Sequence, residues 1–237
     1  MIVEICVDTT RGTQIARDEG ADRVELCRDL WCGGLTPTLS AVVESLEVTP
    51  RLGVQVLVRS RPGNFVFTRD EVQGMCASMK EICNATAGAA PEHLGFVVGS
   101  VSLAGRIDSD AVARFRDAAD GHSVAFHRAF DATADHTAAL EGLVSLGIVR
   151  VLTTGGTTGK ADIAGLRSLI HQADGRIAIL ASGGLRAHNV AQIVEQVGAH
   201  EVHMRAPLRQ SVQGGPPEGT DPTEVAHIVA ALRPPLG

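Results

Sequence analysis

Ile2-Val3-Glu4-Ile5-Cys6-Val7-Asp8 alternates apolar and polar residues. A helical pattern over Gly12–Glu19 follows it, and then a second β-rich run, Asp22-Arg23-Val24-Glu25-Leu26-Cys27. Strand, amphipathic helix and strand in close succession read as a βαβ unit, which requires parallel strands. The unit then recurs. Further β-rich runs occupy Val54–Arg59, Leu94–Gly99, Ser123–Arg128, Val149–Thr154, Ile177–Ser182 and Glu201–Arg205. Helical patterns sit between several of them, at Arg69–Asn84, Asp108–Ala119, Thr137–Leu146, Ala161–Ala173 and Ala187–Gln196, and a last one follows at Pro222–Leu232. Eight repeats favour closure over an open sheet, so the expected fold is α/β, a single (β/α)8 TIM barrel. A length of 237 residues suits one such domain over 1–237. The Gly- and Pro-rich stretch 213–221 reads as a surface loop before the last helix.

Composition narrows the partners. The formal net charge is −6, aromatic residues make up 3% and tyrosine is absent. A nucleic-acid surface would need a basic face and stacking platforms, so nucleic acid is not an expected partner. No apolar run is long enough to span a bilayer, and Met1 leads directly into a strand-like segment without a signal-peptide core. The odd number of cysteines, five, fits reduced thiols in the cytoplasm better than a disulfide framework. Cys76 and Cys83 share one helix and read as packing residues.

Residues two apart on a strand share a face, and a barrel's outer face must be apolar to pack on helices. Val3, Ile5 and Val7 therefore point outward, leaving Glu4, Cys6 and Asp8 inside. The same parity turns Glu25, Cys27, Gln55, Leu57, Arg59, His127 and His203 inward, together with Glu201 and Arg205. Parity does not resolve the fourth, sixth and seventh runs. Two readings of this polar interior stand side by side: an ion-pair network that neutralises itself, with Glu25 expected against Arg59, or a ligand site. As a catalytic set, Glu4, Glu25, Arg59 and His127 offer a carboxylate base, an imidazole acid and an arginine to stabilise an enolate. That set suits isomerase, epimerase or aldolase-type work on a small carbohydrate or acid, whether phosphorylated or free. No inward strand position carries a lysine, which argues against Schiff-base chemistry, and no organic cofactor motif is evident.

Gly155-Gly156 and Gly183-Gly184 each end a run and precede a helix, where backbone amides can hold phosphate. The alternative is that they only make tight turns. Together with Arg59 they are the expected holders of a small anionic ligand, with Lys160 nearby in sequence. Asp131, after the fifth run, is read as a cap or loop-structuring residue, with orientation of Arg128 as the alternative. Trp31 lies near the rim beside Cys32, where it either lines the mouth or meets a neighbouring subunit.

Several segments in register resemble the CutC copper-homeostasis family. They are Glu4–Asp8, Ala21–Cys27, Gly33–Pro37, Phe126–Asp131, Arg150–Gly156, Ser182–Gly184 and Glu201–His203, spanning about residues 1–206. Arg59–Phe65 resembles the family's pattern but departs from it at Ser60, Pro62 and Asn64, and Met204–Ala206 also diverges. The resemblance implies a TIM barrel, a cytoplasmic location, a homo-oligomer (dimer or tetramer) and a role in copper tolerance or Cu(I) binding. It nominates Cys6 and Cys27, inward on adjacent strands, as copper ligands. Cu(I) is soft and selects thiolates. His203 is a third candidate, because the eighth strand closes on the first. Core filling is the competing reading of both thiols, since no Cys-x-x-Cys or Met-rich tract accompanies them.

Overall fold

The computed structural model describes residues 1–156, 159–208 and 219–233. Its strands are β1 (Ile2–Val7), β2 (Arg23–Leu26), β3 (Val54–Leu57), β4 (Leu94–Val98), β5 (Ser123–Phe126), β6 (Arg150–Thr153), β7 (Ala178–Ala181) and β8 (Glu201–Arg205). All pairings are parallel and follow chain order, and β8 bonds back to β1 to close the barrel. The surrounding helices are α1 (Thr10–Asp18), α2 (Leu39–Glu47), α3 (Arg69–Ala85), α4 (Ser109–Ala118), α5 (His136–Ser145), α6 (Ile163–Ala173), α7 (Val190–Val197) and α8 (Pro222–Leu232). The expected (β/α)8 barrel is thus present. α2 had not stood out in the sequence, although Leu39, Val42, Val43 and Leu46 carry a helical spacing.

The parity argument holds strand by strand. Val3, Ile5, Val7, Val24, Leu26, Val54, Val56 and Val58 are wholly buried in the layer between strands and helices. In the runs that parity left open, Phe96, Val98, Val151, Ile179 and Ala181 join that same layer. Alternation therefore turns Val97, Leu152 and Leu180 toward the axis.

Several inward residues lie one or two positions beyond their strands, because single ladder bonds extend each pairing past its regular end. Cys27 N–H donates to Val7 O at 3.0 Å, Val58 N–H to Val97 O at 2.8 Å and His127 N–H to Val98 O at 2.8 Å. These bonds hold the rim residues in strand-like positions just where the chain turns into loops. Side-chain caps start most of the helices that follow, including Asp135 on α5, Asp162 on α6 and Asp221 on α8. Each such cap satisfies otherwise orphaned amides and contributes about 1 kcal/mol. Of the stretch read as a surface loop over 213–221, residues 213–218 lie outside the described residues. Asp221 belongs to the cap of α8.

Candidate functional site

The polar interior divides into a floor and a cavity. In the floor, Glu4 of β1 pairs with Arg23 of β2, and Arg23 Nη2 also reaches Glu201 Oε2 of β8 at 2.7 Å. Arg150 Nε of β6 donates to the same oxygen at 2.8 Å. Two carboxylates face two guanidiniums, so this layer neutralises itself and the ion-pair reading holds here. Arg23 was readable from sequence, since it shares the parity of Glu25. Arg150 was not, because its run is apolar on both faces.

Above the floor lies a cavity of about 270 Å³ lined by Cys6, Glu25, Cys27, Arg59, His127 and His203, with Leu57, Phe65 and Leu152 among its apolar walls. Glu4 does not line it. It acts from below, where its Oε1 meets His203 Nδ1 at 2.8 Å. His203 Nε2 then faces Glu25 Oε2 at 3.4 Å. Ligand atoms of Cys6, Glu25 and His203 all lie within 4.8 Å of one another. The Cys6 and Cys27 sulfurs are 3.7 Å apart, and both cysteines are free.

Burial raises the Glu25 carboxyl to about 7, with Glu4 adding to the rise and His203 opposing it. Burial would lower His203, but Glu25, the Cys6 contact and Glu4 outweigh it and hold the imidazole well above its ordinary value. Cys6 is pushed up by its hydrogen bond with Cys27 and by burial, so it rests as a thiol.

Glu25 and Arg59 were expected to pair, and they do not. The register sets Gln55 beside Glu25, and Arg59 stands further up, past the end of β3. There the loops supply carbonyls instead: Arg59 Nη1 donates to Gly34 O at 3.1 Å and Nη2 to Gly63 O at 2.8 Å. Its guanidinium also lies 5.0 Å from the centre of the Phe65 ring. His127 also packs on Phe65, with ring centres 4.9 Å apart. The imidazole lies so close to Gly99 that a Cβ there would fall 2.2 Å from its Cε1, so only glycine fits. Burial, with Arg59 second, lowers His127 to about 3, and the ring is neutral. Its Nδ1 accepts from Ala129 N–H at 3.1 Å, so the proton sits on Nε2. Nε2 is buried and has no partner among the described residues.

The two glycine turns separate. Gly155 is packed on α6, where a Cβ would fall 2.7 Å from Asp162 O, and a Cβ at Gly156 would meet the His136 ring. The first amides of α6 are taken by Asp162 Oδ1, from Ala164 at 3.0 Å and Gly165 at 3.1 Å. Gly155-Gly156 therefore reads as a turn. Gly183-Gly184 instead lines a neighbouring cavity, and Arg59 is not among that cavity's walls. The joint anion site expected from Arg59 and both turns is not assembled.

Asp131 does not cap α5, a role taken by Asp135. It accepts from Arg128 Nε at 3.0 Å and Thr154 Oγ1 at 2.9 Å, which orients Arg128 and ties the end of β5 to the end of β6. Trp31 is exposed, and Leu30 takes the place at the cavity wall. Cys76 and Cys83 are buried on α3, as their helical spacing implied.

The CutC family profile matches residues 1–207. The chain belongs to the CutC family. A CutC family protein of Glaesserella parasuis serovar 5 is 37% identical over 210 residues, covering 87% of this chain and 82% of that protein. The corresponding protein of Agrobacterium fabrum is 38% identical over 204 residues, covering 86% and 78%. The crystal structure of CutC from Streptococcus agalactiae superimposes with a TM-score of 0.78 at 28% identity, covering 86% of this chain and 97% of that one. Phosphoribosyl anthranilate isomerase from Thermus thermophilus shares the barrel alone, with a TM-score of 0.63 at 11% identity over 98% of each chain. The CutC match thus covers every strand and the whole cavity wall. No helix among the described residues is long and apolar enough to cross a membrane.

Proposed function

We propose that this CutC-family chain serves copper homeostasis in the cytoplasm by holding one Cu(I) ion on Cys6, Cys27 and His203. The observation that carries the reading is the sulfur–sulfur separation of 3.7 Å at the cavity wall, with His203 within reach of Cys6, the member of the pair that it approaches. Metal–thiolate bonds of about 2.3 Å set two sulfurs of a three-ligand centre roughly 4 Å apart, close to the separation seen. Two thiolates are the soft donors that Cu(I) selects, and an imidazole also suits copper. The Glu4 contact at Nδ1 supports the assignment further, because it orients the ring and leaves Nε2 to the metal. Glu25 is a hard oxygen donor and a poor Cu(I) ligand. Its raised carboxyl can carry a proton beside two thiolates. Competition with a Cu(I) chelator under reducing conditions tests this. About one Cu(I) per chain is expected in the wild type, and a fall of at least roughly 100-fold in affinity for Cys6→Ser/Cys27→Ser. Unchanged affinity in the folded double mutant removes these residues from the metal reading.

One observation favours a second reading. Glu25, near 7, shares a cavity with a neutral His127 whose Nε2–H is unpaired among the described residues, and with Arg59. That combination suits proton abstraction next to a carbonyl in a small carbohydrate or acid. Incubation of aldoses, ketoses and their phosphates with the protein in deuterium oxide should give solvent exchange that Glu25→Gln abolishes. Exchange that survives Glu25→Gln sinks the assignment of the base.

A further inference from the structure

The ends of β7 and β8 frame a cavity of about 220 Å³, whose walls include Ser182, Gly183, Gly184, Arg128, Arg186 and Arg205. Three arginines line it, and no carboxylate is among the lining residues. In a chain of net charge −6, such a concentration of like charge is not incidental packing. Each arginine keeps donors to spare. Asp131 holds Arg128 through Nε, so the terminal nitrogens stay unused among the described residues. Arg186 uses Nη1 on Leu185 O at 2.6 Å, and the Arg205 side chain makes no hydrogen bond or ion pair among the described residues.

The glycine turn adds neutral donors. Ser182 fixes the turn's base, its hydroxyl donating to Thr153 O at 3.0 Å. Gly183 and Gly184 follow with φ of 107° and 75°, a left-handed course that L side chains avoid. Neither amide donates to a protein acceptor among the described residues, and a Cβ on Gly184 would meet nothing within 4 Å, so the backbone there is open to the cavity.

We propose that this cavity is a phosphate site: Arg128, Arg186 and Arg205 bind the oxygens of a phosphate or phosphomonoester, and the amides of Gly183 and Gly184 complete the shell. Three cations exceed what one carboxylate would neutralise, and guanidinium forks with backbone amides suit a dianion with several equivalent oxygens. Arg128, His203 and Arg205 also line the cavity that holds Cys6 and Glu25, so the two cavities share a wall. The organic part of a phosphomonoester would extend over that wall toward Glu25. That extension rests on the acid–base reading, whereas the phosphate site does not.

Calorimetric titration of the full chain with inorganic phosphate, and separately with glycerol phosphate, tests the site. One saturable site per chain is expected. Arg186→Gln and Arg205→Gln should each weaken it at least about tenfold, and Arg59→Gln should leave it within about twofold. Tighter binding of the ester identifies a phosphomonoester as the ligand, and tighter binding of the inorganic ion identifies free phosphate. Amide resonances of Gly183 and Gly184 should shift on titration of the wild type, a readout that no variant's folding can confound. Cu(I) stoichiometry in Arg186→Gln should stay unchanged, which separates this site from the metal reading. Absence of binding at tens of millimolar phosphate, or binding that Arg59→Gln abolishes and Arg186→Gln does not, overturns the proposal.

Discussion

Acidification from pH 7 to pH 5 is the perturbation that isolates His127. In the folded chain this imidazole stays neutral down to about 3, because burial and the nearby Arg59 disfavour its charged form. In the unfolded chain it takes up a proton around its ordinary value of about 6.5. Folded pKa lies below unfolded pKa, so between these values the unfolded state binds more protons and stability falls as pH falls. Above about pH 7 both states are neutral and the effect vanishes. At roughly 1.4 kcal/mol per tenfold change in proton activity, moving from pH 7 to pH 5 costs about 2 kcal/mol through this one residue. Urea unfolding of the wild type and of His127→Asn at both pH values measures it. Asparagine cannot titrate there, and its carbonyl can accept from Ala129 N–H. The wild type should lose about 2 kcal/mol more than His127→Asn between pH 7 and pH 5. Equal losses would refute the neutral buried imidazole and, with it, the assignment of the proton to Nε2.

Gly99→Ala should destabilise the protein by about 1–3 kcal/mol, because its Cβ would overlap the His127 ring. His127→Ala should relieve that cost in the double mutant, as thermal unfolding would read. Glu4→Gln removes the carboxylate that pairs with Arg23 and holds His203 Nδ1. Uncompensated charge in the floor should cost about 3–5 kcal/mol of stability in denaturant titration. If it costs less than 1 kcal/mol, the floor is not an ion-pair network.

The barrel was legible because its signal is periodic. Alternation in Ile2–Asp8 fixes which side chains face the axis, and a period of two leaves no intermediate choice. Glu4, Glu25, His127 and His203 therefore fell on the inner face as read. Parity gives a face, however, and not a partner. Which acid meets which base depends on the stagger between neighbouring strands, which set Gln55 beside Glu25 and carried Arg59 up to the loop carbonyls. The division into floor and cavity has the same origin, since Glu4 and Cys6 lie on one face of one strand at different heights. Arg186 and the carbonyls of Gly34 and Gly63 belong to loops, whose paths have no period to read. Of the two roles read for Asp131, loop structuring holds, whereas the cap falls to Asp135, four positions later, because an acidic residue ahead of a helix resembles a cap at either place.

The copper and acid–base readings compete for the same atoms. Cys6, Glu25 and His203 offer their ligand atoms inside one small volume, and Nε2 of His203 is the only nitrogen among these three side chains that faces Glu25. A metal on that nitrogen replaces the proton that Glu25 and His203 would exchange, and thiolates beside it draw Glu25 further toward its protonated form. Occupancy by Cu(I) therefore removes the base as well as the charged imidazole. The Glu4 contact serves either occupant equally, because it fixes the ring and leaves Nε2 to whichever ligand arrives. The cavity proposed for phosphate touches this competition only through its shared wall of His203, Arg128 and Arg205. An anion held there lies beside the imidazole and strengthens its charged form, which favours the proton over the metal at Nε2. If both bind as proposed, phosphate and Cu(I) would pull one histidine in opposite directions.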